Sequence, residues 1–576
     1  ENQATPVVRL RVQDLDDSPV DWGVFSLDRP QDLKLREKKR TREHQKEALN
    51  NIKAGFKKGD RGKLIMACGT GKTFTALRLA EDLVGTDGAV LFMVPSISLL
   101  SQALREWTAQ AEVPLRCFAV CSDIKVSRQT TESEDIRVQD LAFPATTDPK
   151  VLATQYQVVA GHKKMRVVFA TYHSIRVISE AQKKGFPEFS LIICDEAHRT
   201  TGVTINDAEE SHFVRIHDQG YVKGKKRLYM TATPRIYTDD AKSKAKEADA
   251  VLCSMDNPNL YGEEFHRLDF SEAVGRDLLS DYKVIVLAVD EKYVSRAFQS
   301  QLADSDGLKL DDVVRITGCW NGLSKRFVSA VGGSPAEEDA TPMRRAVAFC
   351  NSIKASKRVK ETFSSIIEQY RRLHSADEGW LSCEVDHVDG EMNALVRNKA
   401  LDWLRGDTAE QGNICRILTN ARCLSEGVDV PALDAVMFLS PRNSQIDVVQ
   451  SVGRVMRKSP GKRFGYVILP IGIPADVEPE EALQDNEKYK VVWQVLQALR
   501  AHDNRFNALI NKIELNEQRP DQIQVVGISG DASGEDGTGD VSTPKIQQLD
   551  FNFPHLEEWK NAIFARIVLK CGDRRY

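Results

Sequence analysis

The chain has 576 residues, of which 41% are hydrophobic and 28% are charged, as is typical of globular proteins. This length exceeds what one hydrophobic core supports, so we expect roughly three or four domains. The net charge of −4 excludes a strongly basic nucleic-acid-binding protein, so any nucleic-acid contact must come from local patches. No apolar run reaches membrane-spanning length and no signal peptide is recognisable, so we expect a cytoplasmic protein with no membrane partner.

The eleven cysteines are scattered along the chain, and several lie within apolar runs. This distribution favours buried free thiols. Cys117 and Cys121 form the closest pair, and because no second Cys/His pair follows at metal spacing, we do not expect zinc. The chain begins at Glu1 instead of methionine, which we interpret as a trimmed or excised piece of something longer.

The first residues, 1–33, contain proline and aspartate and are expected to form an irregular lead-in. A basic run from Lys34 to Arg42 follows, for which we favour a solvated helix face over a DNA contact. The string TREHQKEA then opens a predicted helix. Its Gln45 offers an amide donor and an acceptor, a combination that suits the edge of adenine.

A phosphate-binding loop is predicted at KLIMACGTGKTFTA, residues 63–76. An apolar strand breaks at Gly69 and Gly71, whose flexibility lets successive N–H groups cradle phosphate oxygens at the start of the next helix. Lys72 would reach the β- and γ-phosphates, and the Thr73 hydroxyl would hold Mg²⁺. Met66 replaces the first consensus glycine, so an ordinary strand–turn–helix junction is the alternative for this segment.

Two acids follow a continuous apolar run, Leu191–Cys194. They are expected at the carboxyl end of a buried strand, where open α/β sheets bind ligands. Asp195 would bind Mg²⁺, and Glu196 would polarise the attacking water. A further strand, Arg227–Met230, ends in TATP, whose hydroxyls at Thr231 and Thr233 are candidates to couple an ATP site to a DNA site.

A second α/β pattern begins near residue 341, with predicted strands at 346–350, 385–388, 414–419, 435–439 and 466–469 separated by helical segments. Its string GRVMR places Arg454 and Arg457 three residues apart, hence on one predicted helix face. From a second domain these arginines would reach the γ-phosphate, because guanidinium is always charged and forks onto phosphate oxygens. Pairing with nearby surface acids is the alternative.

The motif strings together resemble superfamily 2 helicase-like ATPases. They occur in the family's order: TREHQKEA, MACGTGKT, VPSISLLSQ, DEAH, TATP, LTNARCLSEGVDVP and QSVGRVMR. Further strings, including DEAHRTTG, CWNGLSKR and the helical stretch at 487–513, are similar to the motor and coupler of single-chain type ISP restriction–modification enzymes. The resemblance implies an α/β fold with two tandem RecA-like parallel-sheet domains and a C-terminal helical extension.

The resemblance also implies roles and a domain plan. The expected catalytic residues are Lys72, Asp195, Glu196, Arg454 and the arginine finger Arg457. The expected nucleotide contacts are Arg42, Gln45, Gly69, Gly71, Thr73, Gly427 and Asp429. The expected DNA contacts are Ser96, Gln102, Thr171, Asn351, Ser352 and Thr419.

The expected segments are a lead-in at 1–33, a first domain at 34–255, a connector at 256–340, a second domain at 341–472, and a coupler at 473–576 with a flexible loop at 527–545.

The function that the resemblance implies is ATP- and Mg²⁺-dependent translocation on double-stranded DNA. The resemblance also implies nuclease, methyltransferase and target-recognition domains. Neither a convincing nuclease site nor a methyltransferase tetrapeptide can be recognised in this sequence, so we expect these domains as partners of this chain. Two alternatives stay open: a strand-separating DNA helicase of repair, and an ATP-gated DNA clamp that does not travel.

Overall fold

The computed structural model divides the chain into two compact units, Glu1–Asp269 and Phe270–Tyr576. The structure describes residues 15, 18–121, 145–158, 163–205, 212–237, 250–299, 302, 309–326, 341–372, 380–390, 392, 394–406, 408, 413–421, 433–440, 444–474, 490–503, 505–506, 523–530 and 544–548. Among these residues, no helix is both long enough and apolar enough to cross a membrane.

The first unit is built on a seven-stranded parallel sheet with the order β3-β4-β2-β5-β7-β1-β9. Its strands are β1 Arg61–Met66, β2 Ala89–Val94, β3 Leu115–Val120, β4 Met165–Thr171, β5 Leu191–Cys194, β7 Arg227–Thr231 and β9 Glu263–Leu268, with a separate antiparallel pair β6 Gly202–Ile205 and β8 Ala250–Cys253. The helices are α1 Glu43–Gly55, α2 Lys72–Val84, α3 Ile97–Gln110, α4 Pro149–Val158, α5 Ile175–Lys183 and α6 Pro258–Tyr261.

The second unit is built on an eight-stranded sheet with the order β12-β13-β11-β14-β15-β10-β16-β17, parallel except for the last pair. Its strands are β10 Asp281–Asp290, β11 Arg345–Phe349, β12 Ser382–Val388, β13 Ile414–Asn420, β14 Ala435–Phe438, β15 Phe464–Ile473, β16 Ile523–Gly530 and β17 Pro544–Gln548. The helices are α7 Phe270–Gly275, α8 Glu291–Ala297, α9 Leu310–Leu323, α10 Ile353–Arg372, α11 Ala394–Arg405, α12 Gln445–Val455 and α13 Lys490–His502.

The central strands of both sheets are buried on both faces, as their uninterrupted apolar runs predict. Every residue of β2 and β5 is buried, because helices cover both sides of a parallel sheet. The predicted α/β class with two parallel sheets is confirmed.

The predicted connector at 256–340 is corrected by the structure, because its residues supply a strand to each sheet. β9 pairs with β1 in the first unit, and β10 pairs with β15 and β16 in the second. The C-terminal segment is likewise not purely helical, since β16 and β17 join the second sheet. The ends of the predicted loop at 527–545 therefore lie in strands, while residues 531–543 lie outside the described part.

The basic run is also not a helix. Residues 36–42 form neither helix nor strand, and all of them are exposed except Thr41, which is partly buried. Lys39 anchors this stretch to α3, since its backbone N–H donates to the Gln110 side chain at 2.7 Å and its ammonium pairs with Glu106 at 3.2 Å. The helix begins only at Glu43.

Candidate functional site

The phosphate loop links β1 to α2 with a backbone that favours glycine. Gly69 and Gly71 have φ angles of +83° and +89°, a left-handed region that costs other residues energy. Lys72 begins α2, and its Nζ donates to the Met66 carbonyl at 3.2 Å, so the ammonium folds back over the loop. A helix N-terminus beside a lysine is a ready site for an anion such as phosphate.

The start of α1 packs on this loop through two buried side chains. A ring nitrogen of His44 lies 2.9 Å from the Thr70 carbonyl oxygen. The Gln45 amide donates to the Gly71 carbonyl at 3.4 Å and accepts from the Arg42 backbone N–H at 3.0 Å. Helix α1 therefore contacts the phosphate loop directly. The adenine-reading roles of Gln45 and of Arg42, which is exposed, stay predictions.

The two acids of the DEAH string follow β5 directly. The Asp195 backbone N–H donates to the Met93 carbonyl at 2.9 Å, and the Tyr172 hydroxyl donates to the Asp195 carbonyl at 2.8 Å. Glu196 has a φ of +46°, and its N–H donates to the Asp195 carboxylate at 3.0 Å. A left-handed glutamate persists only where its surroundings hold it, and such strain is common at functional sites.

The DEAH turn is joined to the TATP string by hydrogen bonds between buried side chains. His198 Nδ1 lies 3.0 Å from Thr231 Oγ1, which accepts from the Thr233 N–H at 3.0 Å. The same histidine ring lies 3.4 Å from a Glu196 carboxylate oxygen. Because β5, β7 and β1 are neighbours in a parallel sheet, the acids, these threonines and the phosphate loop share one edge of the first unit.

A second cluster of buried polar side chains, His217, Tyr229, Thr200 and Tyr261, contacts the residues that follow the DEAH string. His217 lies 3.1 Å from the Thr200 carbonyl and 3.0 Å from the Tyr229 hydroxyl. Burial lowers the pKa of His217 to about 4, so the ring is neutral at pH 7. A carbonyl can only accept, so Nε2 donates to Thr200 while Nδ1 accepts from Tyr229. Thr200 Oγ1 in turn lies 3.0 Å from the Tyr261 hydroxyl.

The arginines of the second unit occupy different environments. α12 ends at Val455, so Arg454 is helical and 9% exposed while Arg457 lies in the turn beyond the helix end and is partly exposed. The prediction that both lie on one helix face is wrong, because the helix stops between them. Gly427 and Asp429, predicted to contact nucleotide, lie outside the described residues.

Two of the predicted DNA contacts of the first unit lie at the ends of neighbouring strands, and the third lies on α3. Ser96 follows β2 and caps α3, accepting from the Leu99 N–H at 3.3 Å. Gln102 lies on α3 and is partly exposed. Thr171 ends β4 and is buried, with its hydroxyl 3.1 Å from that of Ser174. None of these contacts is tested by the structure itself, and they stay predictions.

The predicted DNA contacts of the second unit differ in exposure. Asn351 and Ser352 follow β11 and are exposed, and Ser352 accepts from the Ala355 N–H at 3.1 Å. Thr419 is fully buried, and its hydroxyl donates to the Ser356 carbonyl at 3.0 Å. A phosphate contact by the Thr419 side chain would require it to leave this partner.

Thr419 belongs to a buried chain of side chains that resembles a hydrolase triad. Ser356 Oγ lies 2.6 Å from His387 Nδ1, and His387 Nε2 lies 2.9 Å from an Asp389 carboxylate oxygen. All three side chains are 3% exposed or less, so no substrate can reach the serine. The chain therefore joins α10 to the ends of β12 and β13 and is structural.

Sequence reasoning missed His44 and Tyr172, which hold the phosphate loop and the DEAH turn. His44 precedes Gln45 in the string TREHQKEA, and Tyr172 directly follows β4. The position of Tyr172 at a strand end was a usable signal. No sequence signal indicated the contact of His44 with the Thr70 carbonyl.

Comparisons with known proteins match both units. Residues 38–236 match the family model of the type III restriction enzyme res subunit, and residues 336–459 match the helicase conserved C-terminal domain. A curated relative, the probable helicase A859L of African swine fever virus (isolate Tick/South Africa/Pretoriuskop Pr4/1996), is 26% identical over 473 residues, which cover 82% of this chain and 45% of that protein.

Two solved structures are similar over nearly the whole chain. One is the ATP-dependent type ISP restriction-modification enzyme LlaBIII bound to DNA, with 42% identity and a TM-score of 0.77 over 98% of this chain and 35% of that chain. The other is a nuclease-deletion mutant of the type ISP enzyme LlaGI in complex with a DNA substrate mimic, with 36% identity and a TM-score of 0.57 over 93% of this chain and 32% of that chain. The chain thus spans about a third of each of these two enzymes and less than half of the viral relative.

Proposed function

The chain is a superfamily 2 helicase-like ATPase with the motor fold of type ISP restriction–modification enzymes, and from this premise we propose that it couples ATP hydrolysis to translocation along double-stranded DNA. The observation that carries the proposal is the shared edge of the first unit, where hydrogen bonds join the DEAH turn to the TATP threonines beside the phosphate loop. A nucleotide-dependent change at the acids would reach a DNA-contacting loop through such a connection.

The first unit supplies the groups that bind and activate ATP. The loop N–H groups and Lys72 hold the triphosphate, and Glu196 orients the attacking water. The hydroxyl of Thr73 and the carboxylate of Asp195 are the oxygen donors that Mg²⁺ prefers, and they fit a magnesium site. Bound Mg²⁺ would neutralise charge on the β- and γ-phosphates.

The second unit supplies the cationic groups. We assign Arg454 and Arg457 to stabilisation of the transferring phosphoryl group, with Arg457 as the arginine finger. Arg457 suits this role because its turn leaves it partly exposed. Gly427 and Asp429 are proposed to sense nucleotide.

DNA is the proposed partner because one similar type ISP enzyme was solved bound to DNA and the other in complex with a DNA substrate mimic. A motor indifferent to sequence contacts mainly the phosphate backbone. We propose that the exposed Asn351 and Ser352, the partly exposed Ser96 and Gln102, and backbone N–H groups near Thr171 and Thr419 make these contacts. Nuclease, methyltransferase and target-recognition domains are the proposed partners that would complete a restriction–modification or phage-defence enzyme.

The direct test is the ATPase rate without DNA, with duplex DNA and with single-stranded DNA, for the wild-type chain and Lys72→Ala. We expect duplex DNA to stimulate hydrolysis and Lys72→Ala to abolish it. A rate that duplex DNA leaves unchanged contradicts the proposal. A strand-displacement assay with separately labelled strands distinguishes the second candidate, the unwinding helicase that the viral relative's name favours.

Arg457→Ala tests the arginine assignment. Loss of an arginine finger typically lowers turnover by about 10³–10⁵-fold, so we expect this variant to bind a fluorescent ATP analogue normally and to hydrolyse ATP at background rates. A wild-type ATPase rate in Arg457→Ala rejects the assignment.

A further inference from the structure

The backbone carbonyls of the turn that carries Arg457 accept hydrogen bonds from other residues of the second unit. α12 ends at Val455, and Met456 and Arg457 continue as a turn. The Met456 carbonyl accepts from the Ser280 N–H at 2.7 Å, just before β10 begins. Helix C-termini leave carbonyls without helical partners, and these must find donors elsewhere.

The carbonyls of Val455, the last residue of α12, and of Arg457 share one donor, the ammonium group of Lys462. Its Nζ donates to the Arg457 carbonyl at 3.1 Å and to the Val455 carbonyl. A third bond, at 2.6 Å, goes to the Leu433 carbonyl, which lies just before β14. An ammonium has three donors, so all three are directed at backbone oxygens.

β15 packs closely against the same turn at Gly465. An added Cβ at Gly465 would lie 2.3 Å from the Val455 carbonyl oxygen and 2.7 Å from its carbonyl carbon. Only glycine permits this approach between backbones. The turn is therefore fixed on one side by Gly465 and on the other by Lys462.

We propose that Lys462 is a positioning residue for the arginine finger, fixing the backbone of the Val455–Arg457 turn so that Arg457 meets the γ-phosphoryl group correctly. The inference rests on the proposed role of Arg457. Lys462 does not touch the nucleotide in this scheme and acts through the three carbonyls. A misplacement of about 1 Å in a catalytic group can cost roughly 100-fold in rate.

The charge environment of Lys462 gives the proposal a pH dependence. Burial lowers the pKa of Lys462 to about 8, against the opposing effect of Asp434, which raises it, and with a smaller lowering by Arg457. The neighbouring Lys458 is exposed and pairs with Asp277. Above pH 8 the ammonium loses a proton and one of its three donors, so the hold on the turn weakens.

The free energy of unfolding responds to this titration in the opposite direction from the expected turnover. Between pH 8 and the ordinary pKa of 10.5 the unfolded chain binds more protons at this lysine than the folded chain does. The contribution of Lys462 to the free energy of unfolding therefore rises with pH over this window. A purely structural lysine would leave turnover unchanged while stability rises, whereas a positioning lysine lowers turnover.

The test compares Lys462→Met and Lys462→Arg with the wild-type chain in kcat, ATP-analogue affinity and thermal melting, from pH 6.5 to 9.5. We expect Lys462→Met to lower kcat about 10–100-fold with unchanged nucleotide affinity. Lys462→Arg should restore most of the turnover and keep it above pH 8, where wild-type kcat falls, because guanidinium stays charged. Wild-type kcat in Lys462→Met, or the same alkaline decline in Lys462→Arg as in the wild type, would overturn the proposal.

Two controls separate this inference from the proposed function. Lys283→Met removes a buried lysine of the same sheet, whose ammonium lies over the Phe464 ring, and should leave kcat unchanged.

The double variant Arg457→Ala/Lys462→Met should hydrolyse ATP no more slowly than Arg457→Ala alone, because the effects of residues acting as one unit are not additive. If Arg457→Ala is inactive and Lys462→Met is normal, only this inference fails; if Arg457→Ala is normal, the arginine assignment fails with it.

Discussion

Gly71 shows how one residue serves both the conformation and the packing of the phosphate loop. Its φ of +89° lies in the left-handed region, which costs a non-glycine residue about 1–2 kcal/mol. An added Cβ would also lie 2.5 Å from the Gln45 amide nitrogen. A side chain at this position would therefore displace the Gln45 amide from its bond to the Gly71 carbonyl.

We expect Gly71→Ala to abolish binding of a fluorescent ATP analogue while the fold is retained, because the strain and the clash both fall on the loop. Gly85→Ala is the matched control. Gly85 also has a positive φ, of +59°, but an added Cβ there meets nothing within 4 Å. It should therefore lose a little stability and keep nucleotide affinity. Equal affinity in the two variants would show that the loop tolerates the side chain.

At the level of elements, the Thr231 hydroxyl joins the DEAH turn that follows β5 to the TATP string at the end of β7. Thr231 Oγ1 bonds with His198 and accepts from the Thr233 N–H, and all three residues are buried. Removing a buried hydrogen-bonding partner typically costs about 1–3 kcal/mol. The same bonds join side chains of the DEAH turn to the TATP loop.

Thr231→Val keeps the shape of the side chain and removes the hydroxyl. We expect it to bind the ATP analogue normally, with the ratio of DNA-stimulated to basal ATPase rates falling towards one. The control Thr108→Val removes a hydroxyl that bonds the Leu104 and Arg105 carbonyls of its own helix and should change neither value. A full stimulation ratio in Thr231→Val would remove this connection from the mechanism.

His217 makes the first unit sensitive to acid. Its pKa is about 4 in the folded chain, against an ordinary value of 6.5, so between these values the unfolded chain binds more protons. The stabilisation is fully present above pH 6.5 and is lost as pH falls towards 4, with an upper bound of about 3 kcal/mol.

Chemical denaturation at pH 7 and pH 5 measures this effect. His217→Gln keeps a donor and an acceptor but cannot titrate, so the difference in free energy of unfolding between the two pH values should shrink. His212→Gln, at an exposed histidine of the same unit, should keep the wild-type difference. An unchanged difference in His217→Gln would mean that another group carries the acid sensitivity.

At the level of the whole molecule, the sequence predicted the sheets better than their edges. Leu191–Cys194 has the bounds that its apolar run predicts, because strands buried on both faces have a distinct pattern. β9, EEFHRL, is an edge strand with exposed charges and lacks that pattern. β16 pairs with β10, which is far away in sequence, and local patterns do not report such partners.

The candidate site was also predicted in part: its motif residues were predicted and the contacts that hold them were not. Motif strings identify the residues whose chemistry is fixed by type, such as Lys72, Asp195 and Glu196. The contacts that hold them depend on where distant backbone passes. His44 on the Thr70 carbonyl and Lys462 on three carbonyls are examples, and neither residue type signals its role.

Translocation on duplex DNA is most directly measured by displacement of a third strand from a linear duplex, with triplex sites at increasing distances from the loading end. The assay uses the wild-type chain with ATP and the Lys72→Ala variant. We expect the wild-type chain to displace the third strand after a lag that lengthens with distance, and Lys72→Ala to displace none. DNA-stimulated ATP hydrolysis without any displacement would contradict the account and indicate a clamp that grips DNA without moving along it.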